Sequence, residues 1–276
     1  MISQLFDRSE RLSKRVIERF GAAFPERNLR ACALFLLVLC LPLFILIQGD
    51  ARTVHGVSVW LKPFKFSLSL GVMLGTLSWS WHWLAARSRD GWVASILVRL
   101  LIGMSLFEVG YIASRAAVGE DSHFNLATPY SAFMFRLMGI GSVTLVTILL
   151  ILGIMVLKSQ SATRNPAMRQ AVGLGLVFSG VIGLVTGVIL VANAGALVGT
   201  PESQANIIPL FGWSRDVGDL RIPHFLGLHA MQILPIVAWL TKSSPHQIMI
   251  INVAAISIAV MSALALTLAA QGYAIL

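Results

Sequence analysis

Three ionisable residues within one apolar segment form the first pattern that could carry chemistry. Glu108, Tyr111 and Arg115 are separated by three, four and seven positions, so a helix would present them on one face. Arg136 follows in the next apolar segment, at a depth that should match that of Glu108. A charge inside a membrane segment is costly unless it is compensated, so such residues are functional candidates by default. We therefore expect Glu108 and Arg136 to form an ion pair, which could be functional or purely structural.

Four histidines form the second pattern, and its chemistry would be metal or haem binding. Pro223 suits the first turn of a helix, which would place His224 at the mouth of a segment and His229 deeper. Five residues correspond to roughly 140° of rotation, a poor geometry for chelation by this pair alone. His55 and His123 belong to the same predicted side, which leaves open a three-ligand metal site or a single haem with His229 as an axial ligand. A membrane histidine more often bonds neighbouring helices together.

Basic residues near the same predicted face form the third pattern. Lys62, Lys65, Arg115 and Arg221 could attract a carboxylate, a phosphate or a lipid headgroup. The predicted ligand site comprises Lys62, Lys65, Glu108, Tyr111, Arg115, His123, Arg136, Asp219 and Arg221. The candidate metal or haem ligands are His55, His123, His224 and His229.

The composition shows what kind of element must position these residues. Of the 276 residues, 57% are hydrophobic and only 12% are charged, and the mean hydropathy is +0.81. A soluble domain typically carries roughly 25% charged residues, so most of this surface must face lipid. The net charge of +9 does not indicate nucleic-acid binding, because basic residues crowd around membrane segments for topological reasons. Cys32 and Cys40 are too far apart along one helix for a disulfide and are expected to be packing residues.

Seven apolar runs are long enough to span a bilayer, and in hydrocarbon such runs must be helices. The fold class is therefore all-α, a polytopic transmembrane bundle of about seven helices. Residues 31–276 form its single domain, preceded by a basic segment, residues 1–30, that could form an amphipathic helix on the inner leaflet. The predicted spans are 31–49, 63–86, 92–114, 132–157, 170–197, 222–241 and 247–271.

The distribution of lysine and arginine predicts the orientation. With the N-terminus inside, 13 of the 21 basic residues fall on the cytoplasmic side, 7 fall on the other side and Arg99 lies within a helix. This bias favours a cytoplasmic N-terminus and an outer C-terminus in a bacterial inner membrane. Small-xxx-small pairs, Gly71 with Gly75 and Gly183 with Gly187, predict close helix contacts.

Several known seven-helix or histidine-containing classes do not fit. A retinal protein needs a lysine in the last helix, and residues 247–271 contain none. Ser78 and His82 match the start of an alkaline-ceramidase zinc site, but His224 and His229 would lie on the order of 20 Å away, a large part of the bilayer thickness. A di-haem cytochrome is disfavoured because His82 and His229 belong to opposite depths.

Three segments carry a resemblance: WLKPFKF, SHFN and DLRIPHFLGLH. Together they resemble a family of bacterial multi-pass membrane proteins of uncharacterised function, and the likeness covers residues 55–70, 120–126 and 213–232. The resemblance implies a shared site on the outer face without implying its chemistry.

The sequence leaves the function class open. The leading hypothesis is an inner-membrane protein whose outer-face polar pocket, between the second, third, fourth and sixth predicted spans, binds a small ligand, a divalent metal or haem. The alternatives are a non-enzymatic partner or sensor protein and a small-solute transporter, which the scarcity of polar residues in the inner half disfavours. Whether the protein is an enzyme is not decided. The expected partners are the lipid bilayer, an anionic small molecule, and a membrane protein or second copy of the chain.

Overall fold

The computed structural model describes residues 25–159, 165–203, 206–209 and 211–276, and it is mostly helical. The predicted N-terminal amphipathic helix falls largely on residues 1–24 and so lies outside the described residues. The helices are α1 (Pro25–Gly49), α2 (Leu61–Ser80), α3 (Ala86–Arg89), α4 (Trp92–Val118), α5 (Pro129–Leu157), α6 (Pro166–Ala192), α7 (Arg221–Leu228), α8 (Ala230–Leu240) and α9 (Gln247–Ala270). A short 3₁₀ turn, Trp81–Trp83, follows α2.

Five of the described helices are long and apolar enough to cross a membrane. They are α1, α4, α5, α6 and α9, and the bent pair of α7 and α8 becomes a sixth if it counts as one span. Helix α2 has Lys62 and Lys65 in its first turns and is not among them. Exposed apolar side chains cover these helices, for example at Ile45, Ile140 and Ile256. The protein is therefore a helical membrane protein whose surface contacts lipid.

Two of the long helices begin where local sequence signals favour a start. The Oγ1 atom of Thr128 accepts a hydrogen bond from the Ser131 amide, and α5 begins at the following residue, Pro129. The Asn165 side chain accepts a bond from the Met168 amide in the same way before α6. A polar N-cap satisfies an otherwise unbonded amide, and proline suits the first helical position.

Glycines allow the helices to approach closely, as the small-xxx-small pattern predicts for two of them. A Cβ atom on Gly71 would lie 2.9 Å from the Leu37 side chain of α1, and one on Gly183 would lie 2.8 Å from Leu228 of α7. Helices α5 and α6 are even closer, because a Cβ atom on Gly180 would lie 2.7 Å from the backbone nitrogen of Leu150. These contacts bring polar groups on neighbouring helices within hydrogen-bonding range.

The sixth predicted segment is one helix in the sequence interpretation but two in the structure. Helices α7 and α8 meet at His229 with a bend of 46°. The buried Ser179 of α6 bridges the break, since its Oγ atom donates to the Leu228 carbonyl at 2.8 Å and accepts from the Met231 amide at 3.0 Å. The bend is stable in an apolar environment because this hydroxyl satisfies backbone groups that the helices leave free.

The helix ends gather into two clusters, which we call the basic end and the site end. The basic end contains the starts of α1, α4, α6 and α9 and the ends of α2, α5 and α8. Hydrogen bonds join its elements: Ser78 to the Glu26 carbonyl, Gln170 to Asn252, and Arg169 to the Ser159 carbonyl. The site end contains the opposite helix ends.

Short antiparallel strand pairs cover the site end. Strands β1 (Thr53–Val54) and β2 (Val57–Ser58) form a hairpin whose turn residues, His55 and Gly56, have φ angles of 51° and 74°. Such a turn matches the twist of a two-residue hairpin. The second covering segment contains β3 (Leu197–Val198) paired with β6 (Gly218–Asp219), and β4 (Ile207–Ile208) paired with β5 (Trp213–Ser214). The Gly218 amide also donates to the Gly272 carbonyl, which ties this segment to the end of α9.

Candidate functional site

The first turns of α2 lie between the segment that joins α4 to α5 and the segment that precedes α7. The Phe66 ring lies 5.4 Å from the His123 ring in the segment that joins α4 to α5. On the other side, Lys65 Nζ donates to the Phe211 carbonyl at 3.1 Å. The structure thus brings WLKPFKF, SHFN and the segment before α7 together at the site end.

Lys62 has fewer hydrogen-bonding partners than its basic neighbours Lys65, Arg115 and Arg221. It interacts electrostatically with Asp121, Arg221 and Glu108, but it forms no hydrogen bond or close ion pair with a described residue. Its side chain is half-buried at the start of α2. An ammonium group in this position has hydrogen-bond donors available for an anion.

Glu108 is almost fully buried, with 1% of its surface exposed. Its Oε1 atom accepts a hydrogen bond from the Ser142 hydroxyl of α5 at 3.2 Å, and Oε2 has no partner in the part of the chain that the structure describes. Gly141 makes room for the carboxyl group, because a Cβ atom there would lie 2.8 Å from Oε1. Arg136 is exposed and forms no ion pair with Glu108, so the predicted Glu108–Arg136 pair is wrong. Helix α5 is rotated so that a hydroxyl and a glycine, rather than the arginine, face α4.

Unpartnered polar atoms continue along the same face of α4. On this face, the atoms without a hydrogen-bond partner among the described residues are Ser105 Oγ, Glu108 Oε2, Tyr111 OH and Arg115 Nε. Ten residues separate the first from the last, which corresponds to about 15 Å along the helix. Buried polar atoms are normally bonded, so this row makes the face a candidate for binding a polar molecule. The terminal nitrogen of Arg115 is engaged, at 3.3 Å from Glu120 Oε2.

Asp219 and Arg221 form a saturated structural unit rather than an open ligand site. The Asp219 carboxylate is fully buried and accepts bonds from Arg221 Nε at 2.8 Å and from the Ser214 amide at 3.0 Å. Arg221 also donates to the Gly212 carbonyl at 2.6 Å. Since Lys65 holds the neighbouring Phe211 carbonyl, both cations fix the turn above α2 and are less available to a ligand than Lys62.

His123 lies in an aromatic pocket beside the site. Its ring is within 6.4 Å of the rings of Phe124 and Phe135 as well as close to Phe66, and its Nδ1 atom lies 3.0 Å from the Ser122 hydroxyl. Burial, followed by the nearby positive charge of Lys62, lowers the pKa of His123 to about 3. The imidazole is therefore neutral over the physiological range and can donate or accept one hydrogen bond at each nitrogen.

The structure does not assemble the four histidines into the metal site that the sequence left open. His55 Nε2 lies 2.8 Å from Asp121 Oδ2, at the exposed hairpin turn. His224 Nδ1 lies 2.7 Å from Thr186 Oγ1 on α6, and His229 packs against Phe225 with ring centroids 4.1 Å apart. Within the described ranges, no group of three or more His, Cys, Asp and Glu side chains could hold a metal ion. Each histidine instead has its own structural partner.

Sequence reasoning did not identify one hydrogen-bonded cluster beside the site, formed by Asp50, Arg52 and Trp60. The Asp50 carboxylate accepts bonds from the Arg52 guanidinium and, at 2.7 Å, from the Trp60 indole nitrogen. These hydrogen bonds, with that of Arg52 the strongest, hold the pKa of Asp50 below its ordinary value. Arg52 also donates to the Ala117 carbonyl at 2.8 Å, which links the hairpin to the end of α4. Three residues spaced by two and eight positions outside the apolar runs give no periodic signal.

Chemically, the arrangement offers the Lys62 ammonium and the Glu108 Oε2 atom, neither of which is hydrogen-bonded to a described residue, beside the neutral imidazole of His123. It can bind and orient a polar molecule. No nucleophile with an adjacent base is evident among these side chains. No protein-family model, no curated protein and no solved structure matches this chain.

Proposed function

We propose that this chain is a seven-span bacterial inner-membrane protein that binds a small molecule carrying an anionic group at its site end. The seven spans would be α1, α2, α4, α5, α6, the bent pair α7–α8, and α9. The excess of lysine and arginine at the basic end supports a cytoplasmic N-terminus, so the site would open to the outer face. The molecule enters from water and is held without a covalent step.

The incomplete bonding of Lys62 and Glu108 carries this proposal. The two groups have opposite charges and interact electrostatically, yet each retains unused hydrogen-bonding capacity. An anionic group on the ligand would bind the Lys62 ammonium, and a hydroxyl or amine on the ligand would donate to Glu108 Oε2. Tyr111 and Arg115 would complete the lining, whereas Lys65, Asp219 and Arg221 would hold the loop that covers the ligand.

Binding to the detergent-purified full-length protein tests the proposal. The probes are succinate, glycerol 3-phosphate and inorganic phosphate, and the measurement is the thermal unfolding midpoint followed by isothermal titration calorimetry. We expect at least one probe to raise the midpoint and to bind with measurable heat. Ligand at about 100 times its dissociation constant stabilises a protein by about 2.7 kcal/mol, which gives a clear shift.

Two lysine variants make the test specific to the site. Lys62→Met should abolish the shift, because it keeps the length of the side chain but removes the charge. Lys242→Met, at the exposed basic end, should leave the shift unchanged. A shift that survives in Lys62→Met, or no binding of any probe, would contradict the proposal.

A further inference from the structure

A groove at the basic end lies far from the site between α2, α4 and α5. It runs between the segment that precedes α4 and the last two turns of α5, and its volume is about 450 Å³. Its floor is apolar, formed by Ile151, Ile154 and Met155. Ser88, Lys158 and Ser159 form a polar rim. The groove therefore combines an apolar slot with a charged opening at one end.

The surroundings of the groove carry an excess of positive charge. Among the described residues, the basic end holds seven lysines and arginines against two acidic residues: Arg27, Arg30, Arg87, Arg89, Lys158, Arg169 and Lys242, against Glu26 and Asp90. Four of these cations already have partners: Arg89 pairs with Asp90, Arg169 donates to the Ser159 carbonyl, Lys242 lies over the Trp239 ring, and Arg27 is also engaged. Lys158 is exposed and forms no hydrogen bond or ion pair with a described residue. A cation that no described residue binds therefore lies at the mouth of the groove.

Exposed tryptophans mark the level of this end relative to the lipid. Trp79, Trp92 and Trp239 are all exposed and lie near the ends of α2, α4 and α8 that form the basic end. Tryptophan is enriched at the boundary between hydrocarbon and headgroups. Lys158 follows the last residue of α5 and so belongs to the headgroup level, whereas Ile151 lies about 10 Å deeper, in the hydrocarbon.

From this geometry we infer that the groove binds one phospholipid with an anionic headgroup. The phosphate contacts Lys158 and the Ser88 hydroxyl, and one acyl chain lies along Ile151, Ile154 and Met155. The charge of the rim and the depth of the apolar floor match the two parts of such a lipid, and basic pockets at this level are suited to anionic headgroups. A free phosphate ion would use the rim alone and would leave the apolar floor uncovered.

Native mass spectrometry of the full-length protein, exchanged into detergent with equal amounts of dioleoyl phosphatidylglycerol and dioleoyl phosphatidylcholine, tests the inference. The wild type should retain one phosphatidylglycerol in preference to phosphatidylcholine. Lys158→Gln should weaken this retention about fivefold, the effect of about 1 kcal/mol for one lysine near an anionic lipid. Lys242→Gln is the matched control, an exposed lysine at the same end but outside the groove, and should retain the lipid as the wild type does.

A second variant tests the apolar part of the groove. Ile154→Trp replaces an exposed aliphatic side chain and should displace the acyl chain, so phosphatidylglycerol is lost although Lys158 is intact. An unchanged thermal unfolding midpoint would show that the variant is folded. Equal retention of both lipids, equal effects of the two lysine variants, or competition by inorganic phosphate as effective as by phosphatidylglycerol would each overturn the inference.

Discussion

The bridge that Ser179 forms across the α7–α8 break can be tested by removing one oxygen atom. In Ser179→Ala, the Leu228 carbonyl and the Met231 amide both lose their side-chain partner. Ser179 is 0% exposed, so water cannot replace the hydroxyl without entering the helix interface. The substitution isolates the contribution of this hydroxyl, because α6 keeps its length and alanine favours helix.

Two limits bound the free energy of unfolding that Ser179→Ala should lose. Hydrogen bonds between membrane helices contribute about 0.6 kcal/mol each on average, which gives a lower limit of about 1 kcal/mol for two bonds. A buried polar group that is left unsatisfied costs about 1–3 kcal/mol, and two such groups set the upper limit. The lost partners are backbone atoms at a fixed bend that cannot easily find others, so we expect a loss of about 2–3 kcal/mol.

Unfolding in mixed micelles of dodecyl maltoside with increasing dodecyl sulfate measures this free energy. Ser262→Ala is the matched control, since Ser262 is a helical serine, 2% exposed, whose hydroxyl bonds to no described residue. Its removal should change the free energy of unfolding by less than about 0.5 kcal/mol. Faster hydrogen exchange at the Met231 amide in Ser179→Ala would locate the effect at the bend. If the two variants differ by less than about 0.5 kcal/mol, the reasoning about the bend is refuted.

Three further predictions concern the site end. Gly141→Ala should lower the free energy of unfolding in mixed micelles by about 1–3 kcal/mol, because the new Cβ atom would collide with the Glu108 carboxyl. Gly139→Ala is the control: this position has open space around it, so the same measurement should show a neutral or stabilising effect. His123 is protonated below about pH 6.5 in the unfolded chain but stays neutral in the folded chain down to about pH 3. The free energy of unfolding should therefore fall as the pH drops from about 6.5 towards 3, by up to about 1.4 kcal/mol per pH unit. His123→Phe should remove that part of the slope, and an identical slope in the variant would contradict the burial of the neutral ring. Asp219→Asn should destabilise the covering segment by about 2–3 kcal/mol, because the Arg221 guanidinium loses a charged hydrogen-bond acceptor. Limited proteolysis near residue 213 should become faster, and an unchanged cleavage rate would contradict this prediction.

The positions of the helices could be predicted from the sequence because apolar length is a direct physical requirement of the bilayer. Each of the seven predicted runs contains helix in the described residues, and the start of α4 at Trp92 agrees to the residue. The second and fifth runs extend beyond the ends of α2 and α6, at Ser80 and Ala192, and only five or six of the runs form candidate membrane spans. The break at His229 could not be predicted, since its stability depends on Ser179, fifty residues earlier in the chain. The periodicity of apolar residues describes one helix at a time and gives no information on hydrogen bonds to residues of another helix.

The sequence identified residues of the candidate site but did not predict which residues they would contact. The residues Glu108, Tyr111 and Arg115 were identified by their spacing; in α4, Glu108 and Tyr111 are buried and Arg115 is half-buried. The partner of Glu108 was predicted from equal depth alone, which gives no information on how α5 is rotated about its axis. Ser142 lies six residues beyond Arg136, and a neutral serine in an apolar segment carries no signal of its own.

The close contact between Gly218 of the covering segment and the end of α9 restricts which substitutions the chain can accept in evolution. A Cβ atom on Gly218 would overlap the Ala269 carbonyl oxygen, so a side chain at position 218 requires α9 to move. Since Gly218 immediately precedes Asp219 in β6, such a movement would be transmitted to the salt bridge that supports the turn above α2. In a library of random variants, position 218 should therefore accept glycine alone. Changes that shorten or bend the last turn of α9 should be tolerated only together with changes in the covering segment.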